Sequence, residues 1–199
     1  MPPTSSAAPD QPTPAAVSPD LRQLTPPLDE TSAAAALTQV LEAVHLRHGA
    51  LLRYDSDNQS LSLLAQEGLS SQAANAIRLI QRGASGVWDM PLHAVLQRRV
   101  YIIDRPKENP FVPPLLDGAD QGVLTNAAVL PLFSSGSVTG ALLLAASGKR
   151  AVHEADILAL REVAKALGAA LRRPARAQAR APQVLSQAVA ASASQEAMR

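Results

Sequence analysis

The sequence predicts an α+β domain: an antiparallel sheet of five or six strands, with an N-terminal and a C-terminal helix on one face and a loop and short-helix layer on the other. Three observations carry that prediction. Two pairs of apolar runs, within 50–66 and 126–147, are each joined by a short polar turn, the pattern of β-hairpins and so of an antiparallel sheet. Near the end, Ile157, Leu160, Val163, Leu167 and Leu171 keep helical spacing, while Glu154, Asp156, Arg161, Glu162 and Lys165 lie off that stripe. A matching stripe near the start, Leu37, Val40, Leu41 and Val44, predicts a first helix. Two helices that each carry one apolar stripe bury it against a shared sheet face.

In chain order, Asp29-Glu30-Thr31-Ser32 supplies an N-cap for helix one, and His48-Gly49 is expected to end it. Strands over 50–54 and 60–66 flank the turn-rich segment 55–59. A second helix is expected over 70–81, with Ala74, Ile77 and Ile80 on one face, closing at Gly83. Pro91 suits the first turn of a short helix that reaches Arg98, and 100–104 reads as a strand. Residues 105–122 hold four prolines and little periodicity, which predicts a long loop with one helical turn near Pro114-Leu115-Leu116. In NAAVLPLFSSGSVTGALLLAAS, residues 126–147, Ser134-Ser135-Gly136 is expected to form a three- or four-residue loop, with Gly136 at positive φ. Pro131 cannot donate to a strand ladder, so a local bulge is expected there.

Composition sets the domain limits. Eight of the 16 prolines fall in residues 1–30, which have few large apolar side chains to offset the entropy of ordering. Residues 1–30 and the Arg/Ala-rich residues 172–199 are therefore expected to be disordered tails around one domain, 31–171. Charge divides the same way: −3 up to Glu30, +4 from Arg172, and a neutral middle. A neutral core argues against a nucleic-acid partner, which needs clustered cations on one face. Only Arg172, Arg173, Arg176 and Arg180 could supply such a patch, and a solubilising tail is the plainer reading of them.

The chain has no cysteine, which removes thiol nucleophiles, thiolate metal sites and disulfides. It also lacks a basic, apolar leader and any apolar run long enough to span a membrane, so a cytoplasmic location is expected, without membrane contact. Neither GxSxG nor a GxxxxGK phosphate loop occurs, and Ser/His/Asp or paired carboxylates cannot be assembled from the pattern. His45, His48, His93 and His153 lie on separate elements without a second ligand at metal spacing, so no metal site, no catalytic residue and no enzyme activity are expected. The Arg- and Ala-rich, Lys-poor usage points to a GC-rich bacterial genome.

Four stretches, in order, resemble a GAF domain, the small-molecule-sensing and dimerising module of many signalling proteins. ALLRYDSDNQSLSLLAQEG is similar to the family's first hairpin, and GVWDMPLHAVLQRRVYIIDRP to its short helix and strand ending at Asp104. NAAVLPLFSSGSVTGALLLAAS is similar to its hairpin with a glycine turn, and VHEADILALREVAKALGAAL to its closing helix.

The resemblance implies a pocket between the sheet and a roof of short helix and loop, drawing on Trp88, His93, Tyr101, Asp104, Phe111, Leu116, Asn126 and Ala128. The plainer reading of Trp88, Tyr101 and Phe111 is core packing, and of Asp104 a turn cap. Members that bind cyclic nucleotides carry a motif of which Lys107-Glu108-Asn109-Pro110-Phe111 and Asp117 are only a loose echo. Members that hold tetrapyrroles, and the reductases of free methionine sulfoxide, work through cysteines, so no cofactor is expected here. The function implied is a non-catalytic sensory domain that forms a homodimer through its terminal helices, acts on a signalling partner protein and holds an optional small ligand. The other reading is a scaffold whose pocket has collapsed.

Overall fold

The structure, a computed structural model, describes residues 24, 27–83, 89–104, 124–148 and 151–172. Helix α1 runs Glu30–Ala43, capped by the Asp29 side chain, which accepts from the Ser32 N–H at 2.7 Å. It ends earlier than His48-Gly49. His45 takes a left-handed φ of 53°, its N–H reaches the Glu42 carbonyl (3.1 Å), and the Leu46 N–H reaches the Leu41 carbonyl (2.9 Å). That is the paired closure of a helix end in which glycine is usual. His48 and Gly49 instead open the first strand.

Strands β1 (His48–Asp55) and β2 (Ser60–Glu67) form the first hairpin, antiparallel as expected. The predicted helix over 70–81 is shorter: α2 covers Ser71–Ala76, capped by Ser70, and Leu79–Gln81 turns into strand β3 against β2. Ile77 and Ile80 are both fully buried, so their spacing carried no information that separates one helix from a helix followed by a strand. Helix α3 (Met90–Gln97) has Pro91 in its first turn and ends at Arg98, φ 55°. Strand β4 is Tyr101–Asp104.

Strands β5 (Leu124–Ser134) and β6 (Ser137–Ser147) form the long hairpin. Its loop has two residues, not three or four: Ser135 (φ 49°) and Gly136 (φ 80°) both take positive φ, as the favoured tight hairpin turn requires. Pro131 stays in register with Ala141, and the bulge falls just beyond it, between Leu132 and Phe133. β4 pairs with β5 only from Asn126 to Val129, so at Pro131 no ladder on that side needs the missing N–H.

The last helix bends at Leu160 into α4 (Glu154–Ala159) and α5 (Arg161–Leu171). Among the described residues the sheet has six strands in the order β3-β2-β1-β6-β5-β4, every neighbouring pair antiparallel. Strands buried on both faces alternate between two cores. Leu51, Ala128, Leu130, Leu142 and Leu144 pack with Leu37, Val40, Val163 and Leu167 of α1 and α5. Leu52, Ala127, Val129, Leu143 and Ala145 pack with Ala73 of α2 and Leu92 and Val95 of α3. The terminal helices thus share one face, as expected, with α2 and α3 on the other.

The first core reaches back to Leu28, which is buried and whose N–H donates to the Ala170 carbonyl at 3.0 Å. Of the two expected tails, 1–23 and 173–199 lie outside the described residues, as does the predicted loop over 105–122. No helix among the described residues is long and apolar enough to cross a membrane.

Candidate functional site

Of the eight residues assigned to a roofed pocket, Trp88, Phe111 and Leu116 lie outside the described residues. The other five do not converge on one space. His93, exposed on α3, and Tyr101, half-buried on β4, approach with ring centroids 5.4 Å apart, tilted by 56°. Tyr101 packs into the core beneath α3. Asp104 lies three residues further along the same strand, an odd separation, so it points to the opposite face.

Asp104 stands opposite Asn126 in the β4–β5 register, and both serve the face of the terminal helices. Asn126, 2 % exposed, donates from Nδ2 to Asp104 Oδ1 (2.8 Å) and accepts on Oδ1 from the Val152 N–H (2.8 Å). Its amide therefore joins two strands to the segment entering α4, and both ends of the buried group are satisfied. Ala128 is fully buried in the core under α1 and α5, so it cannot line a pocket beneath α3. The five residues are thus a ring pair on one face and a structural latch with a core alanine on the other.

A second buried polar group is not among the expected site residues. His48, 1 % exposed, places Nδ1 2.8 Å from the Gly68 carbonyl and Nε2 3.2 Å from Ser147 Oγ. A carbonyl only accepts, so Nδ1 donates to it, while Nε2 meets the serine hydroxyl, which can take either role. This histidine ties the start of β1 to the turn after β2 and the end of β6. Among the described residues, no group of three or more His, Asp and Glu side chains could hold a metal ion.

Of the clefts among the described residues, two stand out, and neither includes any of those five. One, of about 240 Å³, is bordered by His45, Arg47 and Ser147. The other, of about 320 Å³, lies between the β4–β5 edge and α4–α5. Leu130, Pro131 and Phe133 form its floor; Ile157, Leu158 and Ala164 form its wall; Arg161 and Lys165 stand at its rim. Arg98 lies over the Phe133 ring, 5.7 Å from its centroid, and donates to the Gly136 carbonyl. Lys165 donates to Glu162 at 2.7 Å and holds that carboxyl below its ordinary range. In the sequence the cleft left one trace: Leu158 is a large apolar residue off the helical stripe of 157, 160, 163 and 167.

Comparison with known proteins fixes the family. Among solved structures, the GAF domain of an Acinetobacter phosphoenolpyruvate-protein phosphotransferase superposes with a TM-score of 0.59 at 15% identity, over 81% of this chain and 89% of that one. The corresponding domain from Coxiella burnetii gives 0.58 at 17%, over 82% and 94%. A type II free methionine-R-sulfoxide reductase from Thermoplasma acidophilum gives 0.57 at 17%, over 71% and 91%. A comparison with curated proteins finds no match. At these identities the superpositions speak for the fold; the sequence itself matches the GAF domain family over residues 28–172. This chain belongs to the GAF domain family.

Proposed function

We propose that this GAF domain is a non-catalytic regulatory domain that forms a homodimer through the outer faces of α1 and α5 and acts on a signalling partner protein. One observation carries the reading: the two ends of the domain are fastened to each other. Leu28, just before α1, donates to Ala170 near the end of α5, and Arg53 of β1 donates to the Leu28 carbonyl. A displacement of α5 against the sheet is therefore transmitted to the start of α1. Ala34 and Ala35 on α1 and Ala169 on α5 are exposed, and small residues let a partner helix approach closely. The similar phosphotransferase domains are parts of larger named proteins, which supports a module serving another activity. The reductase neighbour does not redirect the reading, because the thiol chemistry implied by that resemblance has no cysteine here.

Sedimentation of the full chain tests it. A dimer is expected at micromolar concentration, converted to monomer by Ala35→Arg or Ala169→Arg without a lower melting temperature. A monomer throughout would overturn it.

The scaffold reading keeps one supporting observation. Beneath α3, Ala127, Val129, Ala141 and Leu143 are fully or almost fully buried, so side chains fill the space between that helix and the sheet. A ligand bound at 100 times its dissociation constant raises stability by about 2.7 kcal/mol. A panel of nucleotides and metabolites giving no such shift favours the scaffold.

A further inference from the structure

We infer that the cleft between the β4–β5 edge and α4–α5 binds a free amphipathic monocarboxylate, an acyl or aryl chain ending in one carboxylate. Its volume of about 320 Å³ falls at the lower end of ligand clefts, which run roughly 300–1,000 Å³. Its floor and wall are apolar apart from the rim, and that apolar surface continues outward. Val100 is 44 % exposed, Ile102 42 % and Leu158 65 %. Val100, just before β4, and Ile102 within it share a side by alternation, the side that faces α4 and α5. A monomeric protein does not usually leave large apolar side chains of a strand edge and a neighbouring helix in water around one concavity.

Charge selects the occupant. Arg161 and Lys165 are the charged residues that line the cleft, with no carboxylate among the lining residues; Lys165 is engaged by Glu162 outside it, and Arg98 lies over the Phe133 ring. An apolar body with one negative end satisfies both features, its chain on Leu130 and Phe133 and its carboxylate at the Arg161 guanidinium, which offers planar paired donors. A second copy of the chain fits less well. A twofold contact at this cleft would set the two cationic rims against each other. The site is on the β4 side of α5, whereas the proposed dimer uses the outer faces of α1 and α5, so neither proposal depends on the other.

Calorimetric titration of the full chain with decanoate tests the inference. Saturable binding at one site per chain is expected, with decan-1-ol weaker and decyltrimethylammonium not binding. Arg161→Glu should weaken decanoate by about tenfold or more, the scale of a lost charge-assisted hydrogen bond. Ala164→Trp should fill the cleft and abolish binding while the far-ultraviolet spectrum and melting temperature are kept. If Ala164→Trp fails to fold, Leu158→Glu, on an exposed residue, serves in its place and should weaken binding by a similar factor. No saturable binding, binding untouched by Arg161→Glu, or binding only to anionic phospholipid vesicles would each overturn the assignment.

Discussion

On one face of the sheet, helices of 14 and 11 residues cover β1, β2, β5 and β6; on the other, helices of only six and eight residues contribute to the core. The long pair is fastened at several points: Leu28 to Ala170, Thr139 Oγ1 to the Gly168 carbonyl at 2.8 Å, and Asn126 to Val152. The short pair relies mainly on apolar contact with Ala127, Val129, Leu143 and Ala145, with Arg98 at the end of α3 donating to the Gly136 carbonyl. A face held by directed hydrogen bonds at several points between distant segments resists rearrangement, whereas one held mainly by apolar contact can repack. That difference makes the α1–α5 face the rigid one, and the substitutions below are ways to test it.

Leu142 and Leu143 are neighbours on β6, both fully buried, and point to opposite faces. The cost of deleting a buried leucine depends on how far the surroundings collapse into the space. Leu142→Ala, beneath the clamped helices, is expected to lose about 4 kcal/mol, and Leu143→Ala about 2–3 kcal/mol. Chemical denaturation of both variants would measure the difference, and equal losses would show that the two faces are equally rigid. The next test is Gly168→Ala. In a helix this exchange usually gains about 1 kcal/mol. Here a Cβ would fall 2.2 Å from the Phe133 carbonyl oxygen, so α5 must lift from β5 and a loss of about 3 kcal/mol is expected. Asn126→Ala leaves the Val152 N–H without its acceptor in a buried place and should cost about 1–3 kcal/mol, read in the same way.

The faces also differed in how much the sequence revealed. On the α1–α5 face, Asp29 and the stripe Leu37, Val40 and Leu41 announced the first helix, because a cap and a one-sided stripe are local signals. Its end was not legible, since the left-handed position that closes it is held by His45 and not by glycine. On the other face, Ile77 and Ile80 are buried whether their segment is helix or strand, so only the pairing of Leu79–Gln81 with β2 settles it. Part of the scatter of the described candidate residues was legible in the sequence. Tyr101 and Asp104 are three apart on one strand, and strand alternation alone forbids both from facing one pocket. The runs AAVLPL and GALLLAAS hide that rule elsewhere, because strands buried on both sides show no polar alternation. The contacts of His48 and the cleft beside α4 join residues far apart in sequence, and beyond Leu158 off the helical stripe no local pattern encodes them.

His45→Gly sharpens the same point at lower energy. The left-handed conformation costs a residue with a Cβ about 1–2 kcal/mol, and glycine returns part of this as unfolded-chain entropy. A net gain of about 0.5 kcal/mol is expected, measured as a raised denaturation midpoint. No gain would mean that the His45 side chain contributes contacts of its own at the small cleft it borders.

The smallest effect belongs to Asp29, at the entrance to the clamped face. The Ser32 backbone N–H donates to its carboxylate and holds its pKa below the ordinary 3.8. A depressed folded value means that the unfolded chain binds the proton more readily, so the cap's contribution is complete above the ordinary pKa and is lost as pH falls through the folded one. An asparagine side chain in its place would still accept the same bond but would not titrate. Asp29→Asn should therefore leave the melting temperature nearly unchanged at about pH 6 and lose less of it than the parent on acidification to about pH 3. Because Asp29 is fully exposed, the difference should be small and should shrink further in high salt, where exposed charges are screened. A parent and variant that fall together with pH would show that the clamp between Leu28 and Ala170, and not the cap one residue on, holds the start of α1 in place.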